Sequence, residues 1–380
     1  MRPHHPHRPL AYAVAGVMTL TLLLGACTGS PEPTASSSSS SSGPSSLPTA
    51  QPPEPDQTEP DQTEPDQTEP DQTEPTTTAP GATLAPEELP RVDHPVSLPA
   101  LMREEVRAGP IERTGRLGGT ERWTGHAVTY TVDGATVSGE LLVPTGEGPF
   151  PALVLNHGYI DPAVYTLGRG MSREQEWFAS NGFVVLHTDY RGHAGSDPVD
   201  EVGRETRLVY TRDAIGAVRA LEQEPYVDAE RLGMVGRSMG GGVTYNALVA
   251  VPDLVDAAVV FAPVSSSFVD NLRQFTEPNR PEGARAFYDR FGTPQESPGF
   301  YRALSSRTFF DRVRAPVLIH HGSADDTCPP AWSRRTQTLL RRAGADSTLV
   351  EWQGEGHAFG PRFADSMRRT VRFLRSRLDM

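Results

Sequence analysis

Short apolar runs alternate with segments of helical periodicity along the second half of the chain. Each run is four or five residues long and contains almost no polar side chain. Such runs predict strands buried on both faces, as in a parallel sheet, and apolar positions three and four residues apart predict the helices between them. The predicted strands cover 152–155, 183–187, 232–235, 257–261, 317–320 and 348–352, and the predicted helices cover 172–180, 207–223, 239–249, 332–342 and 362–378.

A different pattern precedes these runs. Apolar and polar residues alternate over 127–132 and 135–143, on either side of Asp133 and Gly134. Alternation around an Asp-Gly pair predicts an antiparallel hairpin. A hairpin followed by a mostly parallel, doubly wound sheet is the layout of the α/β-hydrolase fold, and this α/β class is the one that we expect.

One long segment interrupts the rhythm of strands and helices. Residues 263–311 lie between two predicted strands and are rich in phenylalanine, tyrosine and proline. We expect this segment to be an inserted cap.

The first 26 residues have the composition of an export signal. A start with Arg2 and Arg8 precedes an apolar stretch over 10–26, which ends in Leu-Gly-Ala directly before Cys27. This order of charged, apolar and small residues is that of a cleaved signal peptide. It resembles the lipobox of bacterial lipoproteins, which implies a diacylglyceryl thioether on Cys27 and a location on the outer face of the cell membrane. The alternative is an ordinary secretory signal with an incidental cysteine.

Residues 27–90 lack the apolar side chains needed for a core. They contain a serine run and four tandem copies of Glu-Pro-Asp-Gln-Thr over 54–73. This composition predicts a disordered, semi-extended tether, since nothing offsets the entropy of ordering it. The folded α/β domain is therefore expected over 91–380.

The net charge of −13 is concentrated in the tether. Residues 28–90 carry 12 acidic and no basic side chains, whereas residues 91–380 carry 36 acids against 33 arginines. A folded part this close to neutral gives no support for nucleic-acid binding. The composition does not address the oligomeric state.

A serine flanked by glycines lies where the strand at 232–235 gives way to the helix at 239–249. The sequence at 236–240 is Gly-Arg-Ser-Met-Gly. A G-x-S-x-G between a strand and a helix is the nucleophile elbow, in which a tight, strained turn exposes the serine hydroxyl. Ser238 is therefore the candidate nucleophile.

A serine nucleophile needs a base to take its proton and an acid to orient that base. In the expected fold both follow the serine, on loops after later strands. Asp325 and Asp326 come after the strand at 317–320, and His357 lies in a glycine-flanked loop after the last strand. His357 is the candidate base, and either aspartate is a candidate for the acid.

The oxyanion that forms during acyl transfer needs main-chain N–H donors. One is expected from Met239, at the start of the helix after the nucleophile. The other is expected from Tyr159, in the Asn-His-Gly-Tyr sequence at 156–159 after an apolar strand. An ordinary strand-to-loop turn is the alternative at that position.

Other polar residues near these loops have structural interpretations. We expect Asp189 and Arg191 to form a buried ion pair that braces their loop. His157 and His193 do not fit a metal-binding spacing, so neither a metal nor another cofactor is expected. Cys328 is interpreted as a small buried residue near the acid loop, and if Cys27 is lipidated no intrachain disulfide is possible, because the chain has two cysteines.

From about residue 125 onward the chain resembles the catalytic domain of the prolyl oligopeptidase family. It also resembles the dienelactone hydrolase and acetylxylan esterase-like α/β-hydrolases. The motifs that carry the resemblance lie at 156–159, 189–192, 236–241, 321–326 and 356–357. The resemblance implies a serine hydrolase with a Ser-His-Asp triad. It favours Asp325 as the acid, since the H-G-x-x-D-D arrangement of these enzymes uses the first aspartate.

Two departures from the family favour an esterase over a peptidase. The peptidases commonly carry tyrosine after the nucleophile, where this chain has Met239, and residues 91–124 leave no room for their N-terminal β-propeller. The expected substrate is a small carboxylic ester or a short peptide or amide. A prolyl oligopeptidase-like peptidase is the alternative, and an inactive fold that serves as a surface binding protein is the second.

Overall fold

The computed structural model describes residues 89–380. Residues 1–88 lie outside the described residues. The export signal, the lipidation of Cys27 and the tether up to residue 88 therefore remain predictions from the sequence. Within the described part, no helix combines the length and the apolar character needed to cross a membrane.

The core of the fold is a nine-stranded sheet with the order β1-β2-β3-β5-β4-β6-β7-β8-β9. The pairs β1–β2, β2–β3 and β3–β5 are antiparallel, and the remaining pairs are parallel. The strands are β1 Glu112–Gly119, β2 Trp123–Val132, β3 Ala135–Pro144, β4 Phe150–Asn156, β5 Val184–Thr188, β6 Val227–Arg237, β7 Ala257–Phe261, β8 Val317–Gly322 and β9 Ser347–Trp352. The expected α/β-hydrolase layout is confirmed.

Helices cover both faces of the sheet because successive strand residues point to opposite sides. On β4, Val154 belongs to the core cluster that includes Ile215 of the helix Leu208–Leu221, whereas Leu155 belongs to the cluster that includes Leu374 of the helix Phe363–Arg377. The helices are α1 Leu98–Leu101, α2 Ser172–Ala179, α3 Glu201–Thr206, α4 Leu208–Leu221, α5 Met239–Ala250, α6 Phe268–Asn271, α7 Glu277–Asn279, α8 Pro281–Phe291, α9 Pro298–Ala303, α10 Pro330–Arg342 and α11 Phe363–Arg377.

The apolar pattern located the buried elements, and it missed exposed or short ones. β7 has the predicted bounds, and α5 begins at the predicted residue. All eight residues of β1 are exposed, and its pairing with β2 is irregular at two points. A strand without a buried face carries no apolar alternation, so its hydrophobic pattern does not predict it.

The segment predicted to be a cap is built from short helices. It contains α6 to α9, a π-helical turn at Leu272–Thr276 and a 3₁₀ turn at Ser306–Arg312. Its aromatic side chains pack on one another, as in the stacked rings of Phe291 and Phe300, whose centroids are 4.7 Å apart. These contacts explain the aromatic content of the segment; its role as a cap stays a prediction.

The start of α5 packs directly on the end of β4. A Cβ atom on Gly240 would lie 1.9 Å from the carbonyl oxygen of Asn156, and one on Gly236 would lie 2.3 Å from the carbonyl oxygen of Gly240. Contacts this short with main-chain atoms cannot be relieved by a side-chain rotation. α5 reaches this separation from β4 only with glycine at 240, and from the end of β6 only with glycine at 236.

We therefore expect Gly240→Ala to lower the free energy of unfolding by about 3 kcal/mol or more, or to prevent folding. The matched control is Gly299→Ala in α9, where the new methyl group meets nothing closer than 3.8 Å. The control should keep or raise stability, by up to about 1 kcal/mol. Urea unfolding followed by circular dichroism measures both variants. Equal stability of the two would contradict the close approach of α5 and β4.

Candidate active site

Ser238 occupies a strained turn between β6 and α5. Its backbone angles are φ 54° and ψ −118°, a region that residues with a side chain rarely adopt. The conformation is held on both sides: its N–H donates to Phe261 O at 3.0 Å, and its carbonyl accepts from Val264 N–H at 3.1 Å. The half-buried side chain therefore has a fixed position at the carboxyl edge of the parallel strands.

Asp325 and His357 are in direct contact. His357 Nδ1 lies 3.1 Å and 2.9 Å from the two carboxylate oxygens of Asp325. The Asp325 side chain is fully buried, whereas 23% of the His357 side chain is exposed. Because Nδ1 faces the carboxylate, Nε2 is the ring nitrogen left to act on another group.

Asp325 has further donors besides His357. Its Oδ1 accepts from the main-chain N–H groups of Thr327 and Cys328, both at 2.9 Å, and His321 Nε2 lies 3.1 Å from its Oδ2. Burial alone would raise the pKa of Asp325, but the hydrogen bonds from His321, His357 and Cys328 outweigh it. The pKa lies well below its ordinary value, so the carboxylate is charged at neutral pH.

Asp326, the other candidate acid, points away from this cluster. It is exposed, and within the described part of the chain only the Thr327 hydroxyl donates to its carboxylate, at 3.2 Å. Of the two aspartates, Asp325 is the one in contact with His357.

His321 is a site residue that the motif analysis did not single out. Its Nε2 also lies 2.8 Å from the carbonyl oxygen of Cys328, which can only accept, so Nε2 carries the proton. Its Nδ1 then accepts from the hydroxyl of Ser333 at 2.7 Å. The fully buried imidazole thus helps to fix the orientation of Asp325, and it contacts the same carboxylate oxygen, Oδ2, as His357 does.

Ser238 and His357 lie at the same edge of the sheet without a hydrogen bond between them in the described chain. Arg237, the residue before Ser238, donates to the carbonyl oxygen of His357 at 3.3 Å. The Ser238 hydroxyl lies beside the Cys328 thiol. Contacts between a nucleophile and its base are often long without substrate and tighten when substrate binds.

Cys328 is buried and interacts with both Ser238 and Asp325. Burial raises the pKa of its thiol to about 12, and the charge of Asp325 acts in the same direction. A thiol with this pKa is protonated at neutral pH and is a poor nucleophile.

The amides of Met239 and Tyr159 donate to no other group of the described residues. Met239 begins α5, where the first N–H groups have no partner within the helix. The loop that carries Tyr159 passes close to the nucleophile, since a Cβ on Gly158 would lie 3.2 Å from Ser238 Cβ. Both candidate donors therefore flank Ser238.

His157 braces the Tyr159 loop. Its ring lies between Tyr165 and Tyr190, with centroid distances of 4.7 Å and 4.5 Å, and its Nδ1 lies 2.6 Å from Gly158 O. Burial lowers its pKa to about 4, with a contribution from the neighbouring His193. Within 89–380, no group of histidine, cysteine and acidic side chains is arranged to hold a metal ion.

The expected ion pair between Asp189 and Arg191 is wrong. Arg191 Nε donates to Asp213 of α4 at 2.7 Å. Asp189 instead accepts from the hydroxyls of Ser138 and Tyr165, at 2.7 Å and 2.6 Å. Both carboxylates are buried and satisfied, but the partners come from elements distant in sequence, which local spacing does not indicate.

A second buried ion pair, also missed from the sequence, joins the nucleophile elbow to α2. Arg237 donates to Glu174, and the two side chains are only 10% and 2% exposed. Glu355 stabilises the loop that carries His357, because its carboxylate accepts from the N–H groups of Gly360 and Arg362, at 2.6 Å and 2.5 Å. The sequence shows only the charged residues themselves: Arg237 lies inside the motif at 236–241, and Glu355 directly precedes the motif at 356–357.

The chain is similar to a protein family, to two uncharacterized peptidases and to the solved structure of an esterase. Residues 169–380 match the prolyl oligopeptidase family. Among curated relatives, the uncharacterized peptidase YuxL of Bacillus subtilis is 29% identical over 242 residues, which cover 60% of this chain and 34% of the relative. The uncharacterized peptidase YtmA of the same organism is 27% identical over 251 residues, covering 66% of this chain and 91% of the relative.

Among solved structures, acetyl xylan esterase 1 from Thermoanaerobacterium sp. JW/SL YS485 has the same fold. The TM-score is 0.54 and the identity 20%, and the match covers 70% of this chain and 87% of the esterase. The chain thus spans about a third of YuxL but most of YtmA and of the esterase. The family match covers more than half of the chain and confirms the resemblance carried by the motifs. This protein belongs to the prolyl oligopeptidase family and has an α/β-hydrolase fold.

Proposed function

We propose that this protein is a serine hydrolase whose catalytic triad is Ser238, His357 and Asp325. The observation that carries the proposal is the contact between His357 Nδ1 and the charged, buried carboxylate of Asp325, at 2.9 Å. The carboxylate holds the proton on Nδ1, so the lone pair of Nε2 is free to accept the serine proton.

The reaction proceeds through an acyl-enzyme. Ser238 Oγ forms a bond to the substrate carbonyl carbon while its proton passes to His357 Nε2. The bond from that carbon to the leaving group then breaks, and His357 returns the proton to the leaving group. Water repeats both steps to release the acid and free Ser238. The N–H groups of Met239 and Tyr159 stabilise the oxyanion in each half of the reaction.

We further propose that the preferred substrates are small carboxylic esters. Met239 at the position after the nucleophile supports this preference, since the family's peptidases commonly carry tyrosine there. The peptidase names of YuxL and YtmA support the alternative, a short-peptide hydrolase. The second alternative, an inactive binding protein, has less support, because the candidate nucleophile, base and acid are all present.

The proposed place of action is the outer face of a cell membrane. The support is the sequence before Cys27, with its charged start, its apolar stretch and its small residues at the cleavage position. Two or three acyl chains on one cysteine give stable membrane attachment, where a single chain does not.

Replacing Ser238 or Asp325 should remove activity. We expect Ser238→Ala to abolish labelling by a fluorophosphonate probe, and Asp325→Asn to lower kcat by about 10⁴-fold, because the histidine then takes the wrong tautomer. The matched control is Asp326→Asn, the neighbouring exposed carboxylate, which should keep wild-type activity. Labelling that persists in Ser238→Ala, or an equal loss in both aspartate variants, would contradict the triad.

Paired substrates test the ester preference. The two substrates are an ester and an amide of the same aminoacyl group. We expect kcat/KM to be higher for the ester by at least about tenfold, which corresponds to an activation barrier lower by about 1.4 kcal/mol. Hydrolysis by Ser238→Ala measures the background for each substrate. Equal kcat/KM values, or a higher value for the amide, would favour the peptidase.

Lipid attachment can be tested on the full chain in a bacterial host. We expect labelled fatty acid to be incorporated into the wild type and the protein to enter the detergent phase on phase separation. Cys27→Ser should lose both properties, and Cys328→Ser, the matched control, should keep them. Lipid incorporation into Cys27→Ser would show that Cys27 is not the attachment site.

A further inference from the structure

A cavity of about 380 Å³ opens beside His357. Its wall is formed by the loop that carries His357, by the start of α2 and by the loop after β4. Besides His357, the residues that line it include Arg169, Arg173, Glu174 and Arg237. Neither the triad nor the expected oxyanion donors account for the three arginines.

The charges of this wall do not cancel. Glu174 is its only carboxylate among the described lining residues, and this group is paired with Arg237. Arg169 donates to the carbonyl oxygen of Val164 at 2.6 Å, and Arg173 donates to that of Ala358 at 2.7 Å. Neither of these two exposed arginines has a carboxylate partner in the described chain. Two uncompensated guanidinium groups therefore lie at the cavity.

The chemistry of these groups selects the ligand. A guanidinium group presents several N–H donors in a plane, which match the two oxygens of a carboxylate. Each of these arginines uses part of its donor set on main-chain carbonyls and keeps the rest for a ligand. The field of the wall attracts anions and disfavours cationic groups.

The position of the cavity indicates which part of a substrate it receives. His357 returns a proton to the leaving group in the proposed mechanism, so the leaving group departs next to the imidazole. The cavity borders this residue and Ala358. We propose that the cavity binds a carboxylate on the leaving-group side of the scissile bond. The inference rests on the proposed triad, and it names the substrate class: esters whose alcohol part carries a carboxylate, or short peptides with a free C-terminal carboxylate.

Matched substrates with charged and neutral leaving groups test the inference. One pair is an acyl ester of glycolate and the same ester of glycolamide; the other is an N-acylated dipeptide and its C-terminal amide. The readout is the ratio of kcat/KM for the anionic member to kcat/KM for the neutral member. We expect a ratio of about ten or more in the wild type, falling as salt rises. The pair with the larger ratio identifies the source of the carboxylate.

Variants connect the ratio to the cavity. We expect Arg169→Gln to lower the ratio by about tenfold and Arg169→Glu to reverse the preference. Arg173→Gln should lower the ratio too, whatever it does to overall activity by loosening the loop of Ala358. The matched control is Arg116→Gln, which removes an exposed arginine from the edge strand β1 and should keep the ratio.

The outcomes separate this inference from the function on which it rests. A ratio near one in a wild type that is labelled by fluorophosphonate at Ser238 would overturn the carboxylate site alone. A high ratio that none of the arginine variants changes would also overturn it, because the preference would then arise elsewhere. Labelling that does not depend on Ser238 would overturn the proposed triad, and this inference with it.

Discussion

The strained backbone of Ser238 is the constraint on which the rest of the site depends. A residue with positive φ outside the usual regions costs about 1–3 kcal/mol and persists only where its surroundings hold it. Here α5 is buried along its whole length; Gly240 allows it to pack against the end of β4, and Gly236 allows it to pack against the end of β6. The helix cannot move to relax the turn, so the burial of α5 offsets the strain and the hydroxyl remains at the sheet edge.

The buried carboxylate of Asp325 organises the polar part of the site. An unpaired charge in this position would be costly, and donors from His321, His357, Thr327 and Cys328 compensate for it. The same bonds fix the orientation of the loop after β8 and of the imidazole of His357. Arg237 adds a separate tie, because it joins the elbow to Glu174 on α2 and to the carbonyl of His357. The loops of the site are thus held to one another by short, buried contacts.

The electrostatic field at the proposed active site comes from a few nearby charged residues and not from the net charge of the protein. The folded part is almost neutral as a whole, and most of the net negative charge belongs to residues before 91. Against that background, two arginines beside His357 have no carboxylate partner among residues 89–380, and they produce a field over the distance of a few side chains. Selection of a substrate by such a group depends on its place next to the leaving group, and the net charge of the protein does not reveal it.

The sequence by itself determined the strands of the parallel sheet, the helices between them and the turn at Ser238. These features follow from continuous apolar runs, from helical spacing and from a glycine-flanked serine, all of which are local patterns. Only the tertiary structure decided that Asp325 rather than Asp326 faces His357, that Arg191 pairs with Asp213, and that His321 supports the acid. A buried charge takes whichever partner the fold brings near, and that partner comes from a distant element. Local patterns report burial and period, but they do not report which distant side chains meet.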